Sequence, residues 1–181
     1  MPLGTYLNTP FDVTGAGFGF GGVSRVALIP FNKVATMIGT LDSFGNLIEV
    51  TAITLTATDK FQEIAFVEGS ASYTDELQVS NTKKFMKQTL NMIIDAIGES
   101  SIEKAHQILL TRKHMALVLR ATGEWRLIGC TNGLKPTASN ANSGAKAEDD
   151  SALSFTLEGN NKGFAPLVDE TIVAALIDEI A

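Results

Sequence analysis

"HMALVLRATGEWRLIGC", residues 114–130, decides the fold class. Two runs with apolar residues at successive positions, HMALVLRA and EWRLIGC, flank a turn around Thr122 and Gly123. That is the pattern of an antiparallel hairpin buried on both faces, which belongs in the middle of a core with a layer on each side. Strand patterns surround it. VSRVALIP (23–30) places Val23, Arg25, Ala27 and Ile29 on one face and Ser24, Val26 and Leu28 on the other, with Pro30 closing the strand. DSFGN (42–46) reads as a turn in which Gly45 and Asn46 can adopt positive φ, and the β-branched run Leu47 to Leu55 completes an expected hairpin. Phe61 to Phe66 and Ala71 to Val79 add two short strands.

KFMKQTLNMII (84–94) fits two periods. Met86, Leu90 and Ile93 suit a helix, whereas Met86, Leu90, Met92 and Ile94 suit a strand interrupted by Gln88; the strand is the reading taken. SSIEKAHQILL (100–110) opens with Ser100 and Glu103 spaced as a capping box, so a helix is expected from there. Ile102, Ala105, Ile108 and Leu109 would be its packed side, with Lys104 and Gln107 in water. KPTASNANSGAKAEDD (135–150) has no aliphatic residue larger than alanine and reads as a long polar loop. Ser154 to Leu157 is a further strand. DETIVAALIDEI (169–180) is expected to be a helix capped by Asp169, burying Ile172, Val173, Leu176, Ile177 and Ile180. The fold class expected is mainly β (α+β): a β-sandwich or barrel of antiparallel strands, one flanking helix and a short C-terminal helix.

With 181 residues, 45% of them hydrophobic, the chain is expected to build one domain, residues 23–181, preceded by an arm, residues 1–22. Acidic residues outnumber basic ones by 20 to 14, for a net charge of −6, which argues against a surface that grips phosphates. A single cysteine, Cys130, excludes an internal disulfide framework and fits a reducing compartment. MPLGTYLNTPFDV at the start lacks a basic stretch followed by an apolar run, and no apolar run approaches the roughly 20 residues that span a bilayer. No membrane partner is therefore expected.

Chemistry-bearing constellations are sparse. GAGFGFGG (15–22) holds Gly17, Gly19 and Gly22 at the G-x-G-x-x-G spacing of a dinucleotide cradle, but that cradle needs a strand before it and a helix after it, and a strand pattern follows instead. The stretch reads better as an interaction arm, in which Phe11, Phe18 and Phe20 stand among Gly15, Gly17, Gly19 and Gly22, free to lie extended and insert rings into a partner's pockets. His106 and His114 have no metal-ligand spacing and are expected at surface or boundary positions. Cys130 reads as a small buried hydrophobe, Trp125 as core, and Glu148, Asp149 and Asp150 as a solvated acidic turn. No catalytic residue, cofactor, metal or small-molecule substrate is expected.

KHMALVLRATGEWRLIGCTNGLKP followed by SNANSGAKAEDDSALSFTLEGNNKGFAPLVDETIVAALI resembles the C-terminal half of bacteriophage tail tube and related virion proteins. The resemblance is carried by Gly129 and Gly133–Leu134 in a G-x-x-x-G-L turn, by Ser143, Gly144, Asp149 and Asp150 in a Ser-Gly loop with acidic residues, by Thr156, Leu157 and Gly159 in a T-L-x-G strand, and by Pro166, Val168 and Asp169 in the closing connection. It implies a virion protein, assembled in the host cytoplasm, whose six copies form rings that stack into a DNA-conducting tube. The inner strands of a ring would join into one barrel, and partners would be further copies, other tail or virion proteins, and genomic DNA passing without specific binding. The arm and the 135–150 loop, with Pro136, Ser143, Gly144, Asp149 and Asp150, would bridge subunits, the two helices would cover the outer sheet, and the excess of acid would suit a wall that repels phosphates. The same resemblance covers a tail terminator, a head-to-tail connector or the tube of a phage-like injection system. A nucleotide-using enzyme and an adhesion or pilus-like subunit are the readings from other classes.

Overall fold

The computed structural model describes residues 21–94, 99–142 and 152–180. In chain order the elements are β1 (Val23–Pro30), β2 (Val34–Leu41), β3 (Leu47–Leu55), β4 (Phe61–Ile64), β5 (Ser72–Ser80), β6 (Lys83–Ile94), α1 (Glu99–Leu110), β7 (His114–Arg120), β8 (Trp125–Ile128), β9 (Lys135–Asn142), β10 (Ala152–Asn161), β11 (Leu167–Val168), α2 (Glu170–Leu176) and β12 (Ile177–Asp178). The strands form two sheets, eight-stranded in the order β12-β4-β1-β7-β8-β11-β3-β2 and four-stranded in the order β5-β6-β10-β9. The fold is therefore mainly β with two short helices, and neither sheet closes into a barrel.

The 114–130 hairpin lies in the middle of the larger sheet, as its two apolar faces require. One face, with Val26, Leu28, Ala116, Val118 and Ile128, packs against Leu90, Met92, Phe155 and Leu157 of the smaller sheet. The other face, with Ala27, Ile29, Met115, Leu117, Trp125 and Leu127, forms a second core with Val50, Phe61 and, from α2, Val173 and Leu176. The larger sheet is mixed, not antiparallel throughout. β11 runs parallel to β3 and β12 parallel to β4, because these two-residue strands flank α2 and reach their partners by a crossover, not by a tight hairpin.

Several expectations need correction. Val23 belongs with Val26 and Leu28, since a register shift between Val23 and Arg25 turns it to the other face. The expected 135–150 loop is a strand over Lys135–Asn142: its backbone is held by β10, so an edge strand forms without large apolar side chains. Residues 143–150 lie outside the described residues. The C-terminal helix stops at Leu176, and Ile177 contributes to the core as part of β12 while Ile180 stays exposed. Asp169 caps α2 as expected, accepting from Thr171 N at 2.9 Å. In α1, Ser100 lies within the helix; Ala105 is buried and Ile108 packs on the inter-sheet core, while Ile102 and Leu109 remain exposed. The helices thus cover different cores instead of one outer sheet.

His114 is buried, not at the surface. Its Nε2 lies 2.7 Å from the carbonyl oxygen of Ile108, which can only accept, so Nε2 carries the proton and the imidazole joins α1 to β7. Nδ1 is buried with no partner among the described residues, and burial holds the imidazole below its usual range against the opposing pull of the Ile108 carbonyl. A depressed histidine contributes stability above the unfolded value of about 6.5, and that contribution is lost as pH falls through 6.5 towards the folded value. The thermal midpoint is therefore expected to drop between pH 7.5 and pH 5.5, and the drop should shrink in His114→Gln, which keeps a donor for Ile108. Equal slopes in a calorimetric pH series would exclude this role.

Candidate subunit interface

The four-stranded sheet has one face on the core and one in solvent. Cross-strand pairing alternates Leu90, Gln88 and Met86 inward with Thr89, Lys87 and Phe85 outward on β6. By the same register the outward face carries Ser and Thr hydroxyls, Asn and Gln amides, the lysines Lys83, Lys87 and Lys135, and the glutamates Glu76 and Glu158. Lys87 and Glu158 pair at 2.9 Å. Three cations against two anions leave this face close to neutral, so the acid excess of the chain lies elsewhere.

Both edges of this sheet, β5 and β9, lack a neighbouring strand among the described residues. Leu77 and Val79 are on the core side of β5 by register, yet they are 57% and 61% exposed. The sheet overhangs the layer beneath it, and apolar surface that a core would cover is left open at the edge.

The motif glycines meet where the two sheets join. Gly129 and Gly133 adopt φ of 82° and 72° in the turn after β8, and a Cβ on Gly159 of β10 would lie 2.3 Å from the Gly133 carbonyl oxygen. Beside this contact Gln88, fully buried, accepts from Gly129 N at 2.9 Å and from the Asn161 amide, and Asn161 in turn accepts from Thr131 N at 2.8 Å. The residue that interrupted the strand pattern is thus an inter-sheet clasp. Gln88 satisfies the backbone N–H of Gly129 in the turn after β8, and Asn161 that of Thr131.

A second apolar surface lies at the far end of the larger sheet. Asp42 accepts from Asn46 N and Phe44 N, both at 2.8 Å, and these bonds, the one from Asn46 foremost, hold its carboxyl below the usual range and fix the turn between β2 and β3. Gly45 takes positive φ there and Asn46 does not. Opposite the turn, Ala165 is pinned from both sheets: its N–H donates to Asp75 at 3.1 Å and its carbonyl accepts from Arg126 at 3.0 Å. That clamp displays Phe164, 68% exposed, near Leu41 and Leu47. Two adjoining cavities of about 280 and 370 Å³ lie between the hairpin and the 162–167 segment. Cys130 borders the first; burial pushes its thiol up to about 11, which leaves it a poor nucleophile.

Of the expected interface residues, Phe11, Gly15, Gly17, Phe18, Gly19, Phe20, Ser143, Gly144, Asp149 and Asp150 lie outside the described residues. Gly22 is exposed with φ of 108°, its carbonyl accepting from Ala121 N at 3.1 Å, and β1 follows it, where a dinucleotide cradle would need a helix. Pro136 is half-buried opposite Leu157 on β9, in the other sheet, so the structure does not bring Gly22 and Pro136 together. Sequence reasoning passed over Leu77, Val79, Leu41 and Phe164; only Phe44 and Phe164, each beside a glycine in a turn or loop, carried a visible signal. Among the described residues no cluster of three metal-ligating side chains occurs, and no helix is long and apolar enough to cross a membrane. No protein-family model, curated protein or solved structure matches the chain.

Proposed function

We propose that the protein is a structural subunit of a bacteriophage tail tube, six copies closing into a ring and rings stacking into a conduit for DNA. The observation that carries the reading is the four-stranded antiparallel sheet whose two edges have no neighbouring strand among the described residues, with exposed core-side aliphatics at one of them. With an even number of strands, β5 and β9 run in opposite directions, so β5 of one copy can pair antiparallel with β9 of the next. Repetition of that head-to-tail contact closes a ring, removes both edges and covers Leu77 and Val79. The outward face then becomes the wall of the conduit. It is lined by hydroxyls and amides with nearly balanced charge, so it lets a phosphate backbone pass because it lacks a cluster of cations, not because it is acidic.

The test is electron microscopy of the purified chain. Open-ended tubes with six-fold end views are expected. A chain that stays monomeric in sedimentation at high concentration would overturn the reading, and single rings that never stack would move it to a terminator or connector.

A further inference from the structure

We infer that a cavity at the junction of the two sheets binds a doubly charged phosphate group, either free phosphate or a small phosphate monoester. The cavity measures about 390 Å³ and gathers Lys87 of β6, Lys135 of β9 and Lys113, the residue immediately before β7 of the larger sheet. One carboxylate, Glu158 of β10, lines it with them. The near balance of charge on the outward face of the smaller sheet does not include Lys113. At this corner three cations therefore stand against one anion, in a chain whose net charge is −6. The site is complete within one copy, so it goes beyond the assembly proposed above and does not depend on it.

The pairing inside the cavity leaves two cations for a ligand. Glu158 Oε1 lies 2.9 Å from Lys87 Nζ and neutralises it. Lys135 faces Glu158 across the β9–β10 pair, but that carboxylate is already engaged. Among the described residues neither Lys113 nor Lys135 forms an ion pair. The Lys113 ammonium stands 5.7 Å from the centre of the Phe31 ring, which favours a cation at that place beside the Gly133 turn. Asn132 adds a neutral donor: one of its amide hydrogens goes to the Asn160 carbonyl at 2.9 Å, and the second is left to offer. Two ammonium groups sharing a cavity repel each other, and an anion between them removes that repulsion. Charge decides which anion fits best. A carboxylate carries one negative charge, as does each phosphate of a nucleic-acid backbone, whereas a phosphate monoester carries about two at neutral pH and offers three acceptor oxygens. The side chains lining the cavity are all polar and the remaining positions are glycines, so recognition rests on the charged group and not on an apolar body attached to it.

The test is isothermal calorimetry of the full chain with inorganic phosphate and, in parallel, glycerol phosphate, at constant ionic strength set with chloride. Saturable binding of one anion per chain is expected; the tighter of the two probes tells the free ion from a phosphorylated ligand. Lys113→Gln and Lys135→Gln should each weaken binding about tenfold, the effect of losing one charge-assisted hydrogen bond. Glu158→Gln should tighten it, because the change releases Lys87. All three side chains are at least partly exposed, and circular dichroism checks that the variants keep the fold. Absence of saturable heat with both probes, or equal affinity in the parent and all three variants, would overturn the inference. So would a short DNA duplex that binds more tightly than either probe and loses affinity in the same two lysine variants, since the corner would then be a contact for a nucleic-acid backbone.

Discussion

Gly159→Ala is expected to lower the stability of the isolated subunit by about 3 kcal/mol, a drop of roughly 6–12 °C in thermal midpoint for a chain of this size. The added Cβ would stand 2.3 Å from the carbonyl oxygen of Gly133, a backbone atom with no rotamer to change. Gly133 cannot retreat either. Its N–H is bonded to Gly129 O at 2.9 Å, the next residue exchanges both backbone bonds with His114 at 2.7 Å, and its own φ of 72° is held between Phe31 and Lys113. Relief would require β10 to move away from the turn, which pulls the Gln88 and Asn161 bonds with it. Gly21→Ala is the control, because a Cβ there meets nothing within 4 Å, and its effect should stay within about 0.5 kcal/mol. Equal calorimetric midpoints for the two variants would show that the sheets do not need this contact.

How much of this was legible depends on whether a feature is local. The 114–130 hairpin declared itself because each of its faces meets a different core, and apolar residues at successive positions report that directly. Alternation alone puts Val23 on the Arg25 face, because a register shift leaves no mark in composition. Residues 135–142 read as loop because strand patterns are recognised by what they bury, and an edge strand with an exposed outer side buries little. Gln88 looked like an interruption because its partners, Gly129 N and Asn161, are 41 and 73 residues away. The C-terminal helix is shorter than its periodicity suggests, because Ile177 has helical spacing from Val173 and yet pairs with Phe61. The interface was the least legible part. Leu77 and Val79 alternate correctly for a core face, and only the extent of the opposite layer reveals that the described residues leave them more than half exposed.

That uncovered pair supplies the other large effect. The double variant Leu77→Asp, Val79→Asp is expected to abolish ring and tube formation while leaving the monomer folded. Both side chains are more than half exposed in the subunit, so a charge there costs the monomer little, within about 0.5 kcal/mol per site. In the proposed ring each carboxylate would be enclosed beneath the junction of β5 with the neighbour's β9; position 77 lies opposite Met86, with no cation across the pair, whereas position 79 lies opposite Lys84. An unpaired buried carboxylate costs several kcal/mol, and inward-pointing charge on an edge strand is a known barrier to edge-to-edge pairing. Six junctions must form for closure in the proposed ring, so the penalty recurs at each. Sedimentation should show monomers, folded by circular dichroism, under conditions in which the parent chain is expected to assemble. Lys84 neighbours Val79 across the β5–β6 pair, so Val79→Asp alone should be the milder change, and Leu77→Asp, opposite Met86, the stronger. Tubes of normal length from the double variant would place the ring contact elsewhere on the molecule.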